Sequence, residues 1–469
     1  MLGWIDEALE VGAHERTVLC ISGDAGLGKT RLARATAHWA RERGRVVLEG
    51  RATPVNSALP LEAFRSAVRA SRRNMAGREP PPDGLAASFE RWLLPELGQA
   101  ADVDLDIVFE AACRYFSGLA DEKGLLLVLE DLHLASPSSC ELVRHLAESL
   151  PETPITLLLT FREGEAGPHV NSMRHALLRE RIAQEQRLEP LQEGAVGAML
   201  EDILGVQPDK RTRETIATMS GGNPFVVEEL VRSAAEEGLL GEESGRLDPD
   251  GELSIPWTVR EMLLSRLHRL PDADRDLLSW AAIAGDTFDV SIVAHAANLT
   301  SEECASAVGR LSDAGLLRDD EQESGPPLVA FRHALTRDAV LEEMVGAEQV
   351  HRHRGLLLAL EDRFGQEDEE HLEEMLGHAL ASDDRPRAFS YSAREARRTL
   401  RLGALLESEA HHERALELFD ADDGHEARAE LLMGHGWVTD AAGNREAAAQ
   451  SFLAAREEFL AAGNDVRAA

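Results

Sequence analysis

The chain has 469 residues, enough for several cores rather than one, and its 43% hydrophobic content excludes wholesale disorder. A formal charge of −35 repels polyanions and excludes a protein that grips DNA along its length. No apolar run approaches the ~20 residues of a membrane span, and the start MLGWIDEALEVGAHE lacks the basic and apolar segments of a leader, so a cytoplasmic protein is expected. Cys20, Cys113, Cys140 and Cys304 have no metal-ligand spacing and read as reduced packing residues. Only Lys29, Lys123 and Lys210 are lysines, and the first falls inside a glycine motif.

In chain order, RTVLCIS (16–22) predicts a buried strand, and TRLARATAHWARER (30–43) a helix with Leu32, Ala35 and Trp39 on one face. Between them lies GDAGLGKTR, residues Gly23, Asp24, Ala25, Gly26, Leu27, Gly28, Lys29, Thr30 and Arg31. Strand, glycine loop and helix are the context a phosphate loop requires. Gly26 and Gly28 let backbone N–H groups turn onto phosphate oxygens at a positive helix end. Lys29 is expected to reach the β- and γ-phosphates of ATP, and the Thr30 hydroxyl to ligate Mg2+.

Residues 125–129 of GLLLVLEDLHLASPSS are continuously apolar, as in a strand covered on both faces. Glu130 and Asp131 follow at its C-terminal end, where such sheets place their ligands, and are expected to be the catalytic and metal-binding acids. Which of the two faces the metal is open. A third strand, PITLLLT (154–160), leads into Arg162, a candidate catalytic residue sensing the γ-phosphate from a strand tip.

Residues 256–345 alternate helices with two short strands, a pattern that fits a winged helix. Its third helix (301–315) carries Glu302, Glu303 and Asp313 against Arg310, the wrong sign for phosphate contact, so direct DNA binding is not expected. From 346 onward the pattern is helical. LRLGALLESEAHHERALELF and ELLMGHGWVTDAAGNREAAAQSFLAAREEFLAAGN read as helix pairs resembling tetratricopeptide units, which stack into concave surfaces for protein or small-molecule ligands. His411, His412 and Glu413 are adjacent rather than one turn apart, so no metal site is expected from them.

GDAGLGKTRL, VVLEGRATPVNSALPLEAFRSAVR, LLLVLEDLHLASPSS, LLLTFRE, RLEPLQEGAVGAML and GGNPFVVEELVR occur in an order that resembles STAND-class signalling ATPases. Within that class they are most similar to the large ATP-binding regulators of LuxR type and the ATPase segments fused to cyclases. The resemblance implies a P-loop ATPase domain with a parallel sheet (1–190), a helical lid (191–250), a winged-helix domain (251–345) and TPR-like helical repeats (346–469). It also implies that Asn223 and Pro224 of GGNPF sit beside the adenine and ribose, and that His333 contacts the β-phosphate in the closed state. By the same standard the chain is truncated and lacks the C-terminal helix-turn-helix. Glu130, Leu134 and Ser136 stand where the family has aspartate, tryptophan and aspartate, which implies slow ATP hydrolysis. Three functions follow: a switch closed by ADP and opened by ATP, with an inducer on the repeats and a homo-oligomer in the ATP state; a remodelling or loading ATPase resembling origin-recognition ATPases; or a non-hydrolysing repeat scaffold with structural nucleotide.

Overall fold

The computed structural model of the chain describes residues 16–53, 60–74, 84–94, 105–120, 123–150, 152–162, 164–236, 259–319, 328–420 and 424–468. Five parallel strands, β1 (Thr17–Gly23), β2 (Val46–Arg51), β3 (Leu125–Glu130), β4 (Ile155–Arg162) and β5 (Ala183–Arg187), form a sheet in the order β2-β3-β4-β1-β5. This is the α/β P-loop NTPase architecture. The three inner strands are buried nearly throughout, because helices cover both faces. Strand alternation then divides the core. Leu125, Leu127 and Leu129 face one side, with the aromatic group Phe64, Phe89, Tyr115 and Phe116, while Leu126 and Val128 face the other.

Helix α1 (Lys29–Glu42) covers the second face with Ala33, Ala37 and Ala40. Helices α2 (Glu62–Asn74), α3 (Gly84–Leu93), α4 (Leu105–Leu119), α5 (Pro137–Ser149) and α6 (Pro168–Arg179) complete the domain. Strand β2 lies so close to α2 that a Cβ at Gly50 would stand 1.9 Å from the Ala63 carbonyl oxygen. Only glycine fits there, and Arg51 follows at the strand tip. Register sets Arg51 beside Glu130 and Gly23 beside Arg162, so four tips stand in a row.

Three helices follow, α7 (Glu193–Leu204), α8 (Lys210–Ser220) and α9 (Pro224–Glu236). The 237–258 stretch, where the lid was expected to give way to the next module, lies outside the described residues. Beyond it come α10 (Val259–His268), α11 (Asp272–Ala284), β6 (Thr287–Asp289), α12 (Val290–Ala296), α13 (Ser301–Asp313), β7 (Leu317–Asp319), β8 (Leu328–Phe331) and α14 (Ala334–Glu343). The strands form an antiparallel sheet in the order β6-β8-β7. Thr300 and Glu303 form a capping box at the start of α13.

The remaining helices are α15 (Gly346–Phe364), α16 (Leu372–Ala381), α17 (Arg385–Arg401), α18 (Leu405–Leu418), α19 (His425–Ala441), α20 (Arg445–Ala461) and the short α21 (Asp465–Ala468). Small residues let them approach: Gly434 meets the His412 ring, and Gly436 meets Phe452. One core runs from Val196 on α7 to Tyr391 on α17. Among the described residues no helix is long and apolar enough to cross a membrane. The four cysteines are free and buried, and burial pushes the thiols of Cys20 and Cys140 up to about 12.

The helical array docks on the sheet domain through buried charges, with Leu402 packed against the sheet-domain core. Arg65 of α2 is buried with Glu373 of α16 and with the Glu395–Arg398 pair of α17, whose Nη1–Oε1 distance is 2.9 Å. Arg69 and Glu370 close the edge at 2.8 Å. Burial first, then Glu395, pushes the Glu373 carboxyl well above its usual range. Further along, the Ser138 N–H and hydroxyl donate to Glu407 Oε1 at 3.0 and 2.6 Å. A carboxylate of α18 therefore caps the first turn of α5.

Candidate functional site

The glycine loop joins β1 to α1. Gly26 (φ +81°) and Gly28 (φ +91°) both have left-handed backbone, which glycine adopts without Cβ strain. Gly28 leads into α1, so Lys29 and Thr30 stand at the positive helix end. Lys29 is buried, and its Nζ donates to the carbonyls of Gly23 (2.7 Å) and Asp24 (2.8 Å). Burial lowers its pKa, Arg162 adds to this, and Asp131 opposes it.

The two acids after β3 diverge. Glu130 ends the strand, buried, with the Thr30 hydroxyl bonded to its carboxylate; its Oε2 has no hydrogen-bond partner. Burial raises its pKa against the pull of Thr30 and Arg51. Asp131 turns into the left-handed region (φ 56°), and its N–H donates to Thr160 Oγ1 at 3.0 Å. This swings its carboxylate onto Arg51, whose Nε lies 2.8 Å away. Glu130 is thus the acid beside Thr30, and Asp131 the acid held by an arginine.

Arg51 has a second partner. Its Nη2 lies 3.3 Å from Asp286, at the head of the antiparallel module, and Arg337 approaches the other Asp286 oxygen at 3.7 Å. Burial works against the Arg51 charge, but Asp131, Asp286 and Glu130 more than offset it, so its pKa is raised. At the tip of β4, Arg162 reaches Glu165 at 3.5 Å, and its N–H donates to His133 Nδ1 at 3.4 Å.

Residues from the following modules roof these tips. Asn223 Nδ2 donates to the Ala25 carbonyl at 3.2 Å, and its side chain occupies the space a Cβ on Gly26 would need. It therefore touches the phosphate loop directly. Pro224 begins α9, which presents Phe225 and Glu228. His333, just before α14, packs on Phe225 with ring centroids 4.4 Å apart, and its Nε2 lies 3.4 Å from Glu228. Glu228 also meets Arg31 at 3.6 Å.

Together they enclose a cavity of about 670 Å³, within the usual range for a ligand of nucleotide size. It brings together Ala25, Gly26, Gly28, Lys29, Thr30, Arg31, Asp131, Arg162, Pro224 and His333. Asp24 and Leu27 complete the loop, and Glu130 and Asn223 act on it from the side. Cationic groups of Lys29, Arg31, Arg34, Arg51, Arg162, Arg318 and Arg332 outnumber the carboxylates Asp131, Asp202, Glu228 and Asp286. In so acidic a chain, this concentrates positive potential where a polyphosphate would sit. Sequence reasoning missed Arg51, Glu228 and Asp286. Arg51 stands one strand from the Glu130–Asp131 pair, a neighbour that only the sheet order reveals.

Glu130 Oε2, a buried carboxylate oxygen without a partner beside a threonine hydroxyl, fits a divalent cation. Elsewhere, Glu409, Glu413 and His435 place ligand atoms within 4.8 Å of one another between α18 and α19. His435 Nδ1 is bonded there to Ser451 Oγ at 2.9 Å.

Residues 4–159 match the family described as AAA ATPase domain. An uncharacterized protein of Rhizobium meliloti (strain 1021) is 24% identical over 377 residues, 75% of this chain and 36% of its own length. A signal transduction ATPase with numerous domains (STAND) protein with a tetratricopeptide repeat sensor, from Pyrococcus horikoshii, superposes with a TM-score of 0.56 at 13% identity. That superposition covers 99% of this chain and 62% of the archaeal one. Cdc6p from Pyrobaculum aerophilum gives a TM-score of 0.36 at 14% identity, over 73% of this chain and 94% of that one. The chain thus spans about a third of the curated relative and under two thirds of the archaeal protein. It carries an AAA-type ATPase domain on a fold shared with a STAND protein that has a helical-repeat sensor.

Proposed function

We propose that this chain is a nucleotide-gated signalling switch of the cytoplasm, closed around ADP, opened when ATP replaces it, and hydrolysing ATP slowly. One observation carries the reading: the cavity is walled on one side by the phosphate loop and on the other by His333, Phe331 and Asp286 of the antiparallel module. Its occupant touches both halves, and a ligand shifts a conformational equilibrium only through such differential contact.

In this reading residues 259–343 act as a winged helix whose task is regulatory packing, and residues 346–468 as TPR-like repeats that receive an inducer. Lys29, Arg31 and the loop N–H groups hold the phosphates, and Arg162 senses the terminal one. Thr30 and Glu130 would hold Mg2+, which when bound offsets charge on the phosphate oxygens. Asp131 is the candidate base for water, and its pairing with Arg51 keeps it from that work while Arg51 also holds Asp286. The open, ATP-bound form would expose surfaces for self-assembly.

The test is the release of fluorescent ADP from the purified chain, chased with unlabelled ADP. His333→Ala should speed release about ten-fold or more, as losing a charge-assisted contact worth about 1.5–3 kcal/mol requires. Unaltered release with a lowered melting temperature would mean that His333 only packs, and would sink the gate.

A further inference from the structure

A second cavity, of about 660 Å³, lies far along the chain from the phosphate loop, between the loop at 367–372, α17 and α19. Its floor is apolar, formed by Leu372, Phe389, Ala393, Leu400 and Leu431. Its rim carries three arginines against Glu367 and Glu369 of the loop. Arg394, Arg397 and Arg401 project from α17 at spacings of three and four residues, which puts them on one helix face.

Two of these arginines, Arg397 and Arg401, are not spent on structure. Arg397 is exposed and makes no hydrogen bond or ion pair among the described residues. Arg401 meets Glu369 only at 3.9 Å, with both side chains more than half exposed. Arg394 meets Glu367 at 3.9 Å, and that glutamate is 94% exposed. Pairs so long and so hydrated hold little. Arg394 is fixed in place, because its Nη1 donates to the Gln366 carbonyl and its Nη2 to the Asp368 carbonyl, so it contributes charge to the rim rather than free donors. A rim in which arginines outnumber glutamates, over an apolar floor and in a chain of −35, is complementary to an anion with an apolar body.

We propose that this cavity binds a small organic anion, a carboxylate or phosphate carried on an apolar body. Arg397 and Arg401 take the charged head in bidentate fashion and Phe389 with its aliphatic neighbours takes the body. The neighbouring face of α17 carries Glu395 and Arg398, buried with Arg65 of α2, so the ligand sits beside the charged contact with the ATPase domain. Binding at this site does not depend on the nucleotide reading.

The probe is 1-anilinonaphthalene-8-sulfonate, a monoanion on an apolar ring system, titrated into the full chain by fluorescence and calorimetry. Its neutral counterpart, N-phenyl-1-naphthylamine, lacks the sulfonate. A saturable site is expected, undisplaced by excess ADP, with the neutral dye about ten-fold weaker or more. Arg397→Glu combined with Arg401→Glu, both at exposed positions, should weaken the sulfonate about ten-fold or more and leave the neutral dye unchanged. Ser390→Trp fills the cavity without changing charge and should weaken both. Equal affinity for the two dyes, displacement by ADP, or full affinity in the charge-reversed chain would overturn the proposal.

Discussion

Glu130 and Asp131 are adjacent carboxylates with opposite surroundings, and the difference is measurable. Glu130 is buried beside Thr30 with one oxygen unpartnered, while Asp131 is neutralised by Arg51. Glu130→Gln removes a charge that burial already disfavours, so the ligand-free chain should melt no lower than the parent. In the same variant the difference in ATP affinity between magnesium and chelator should shrink, because one of the two side chains proposed to hold the cation is gone. Asp131→Asn should keep the magnesium dependence but lose about 1–3 kcal/mol in urea unfolding, since Arg51 loses a charged acceptor. Reversed results would exchange the two roles. The sequence showed both acids but not their division of labour. That division depends on the left-handed turn at Asp131 and on Arg51 arriving from β2. The glycine loop was legible because its conformation depends on glycine at fixed spacing. His333 was placed by resemblance, and the fold brings it to the same cavity.

Strands β1, β3 and β4 announced themselves as apolar runs because helices cover both of their faces. Strands β2 and β5 did not. VVLEGR is buried only at alternate positions, and AQEQR is a polar edge strand held by backbone pairing to β1. No local pattern encodes such pairing. The cap on α5 is equally non-local, since Glu407 follows Ser138 by 269 residues. A carboxylate at a helix N-terminus is favoured by the exposed N–H groups and their dipole. Glu407→Ala leaves the Ser138 N–H without that acceptor and should cost about 1–3 kcal/mol in urea unfolding. An unchanged midpoint would mean that water replaces the carboxylate at no cost and that the contact does not hold the array to the ATPase domain.

For the molecule as a whole, acid should be the weak point. His353 and His378 face each other with their Nδ1 atoms 2.9 Å apart, joining α15 to α16. Burial lowers their pKa values to about 4 and about 3, with Arg337 acting on His353 and His353 on His378; burial likewise lowers His412, on α18, to about 4. A histidine depressed on folding stays neutral in the native chain while the unfolded chain protonates. Its stability contribution is complete above pH ~6.5 and is lost as pH falls toward 4, at up to about 1.4 kcal/mol per pH unit for each histidine. The melting temperature should therefore drop between pH 6.5 and 4.5, and His378→Phe should flatten that slope. An equal slope in the variant would assign the acid sensitivity elsewhere.

The row Asp131, Arg51, Asp286, Arg337 crosses from the sheet domain to the antiparallel module with alternating sign. A bridge made of a single anion and a single cation strands both when it parts, at a cost of several kcal/mol if they are buried. Here each half keeps its own neutral couple: Asp131 with Arg51 on one face, Asp286 with Arg337 on the other. Within this row, parting the halves surrenders the middle contact, at 3.3 Å, and leaves all four side chains paired. Such a seam costs little charge to part, like a joint whose two faces are each finished before they meet.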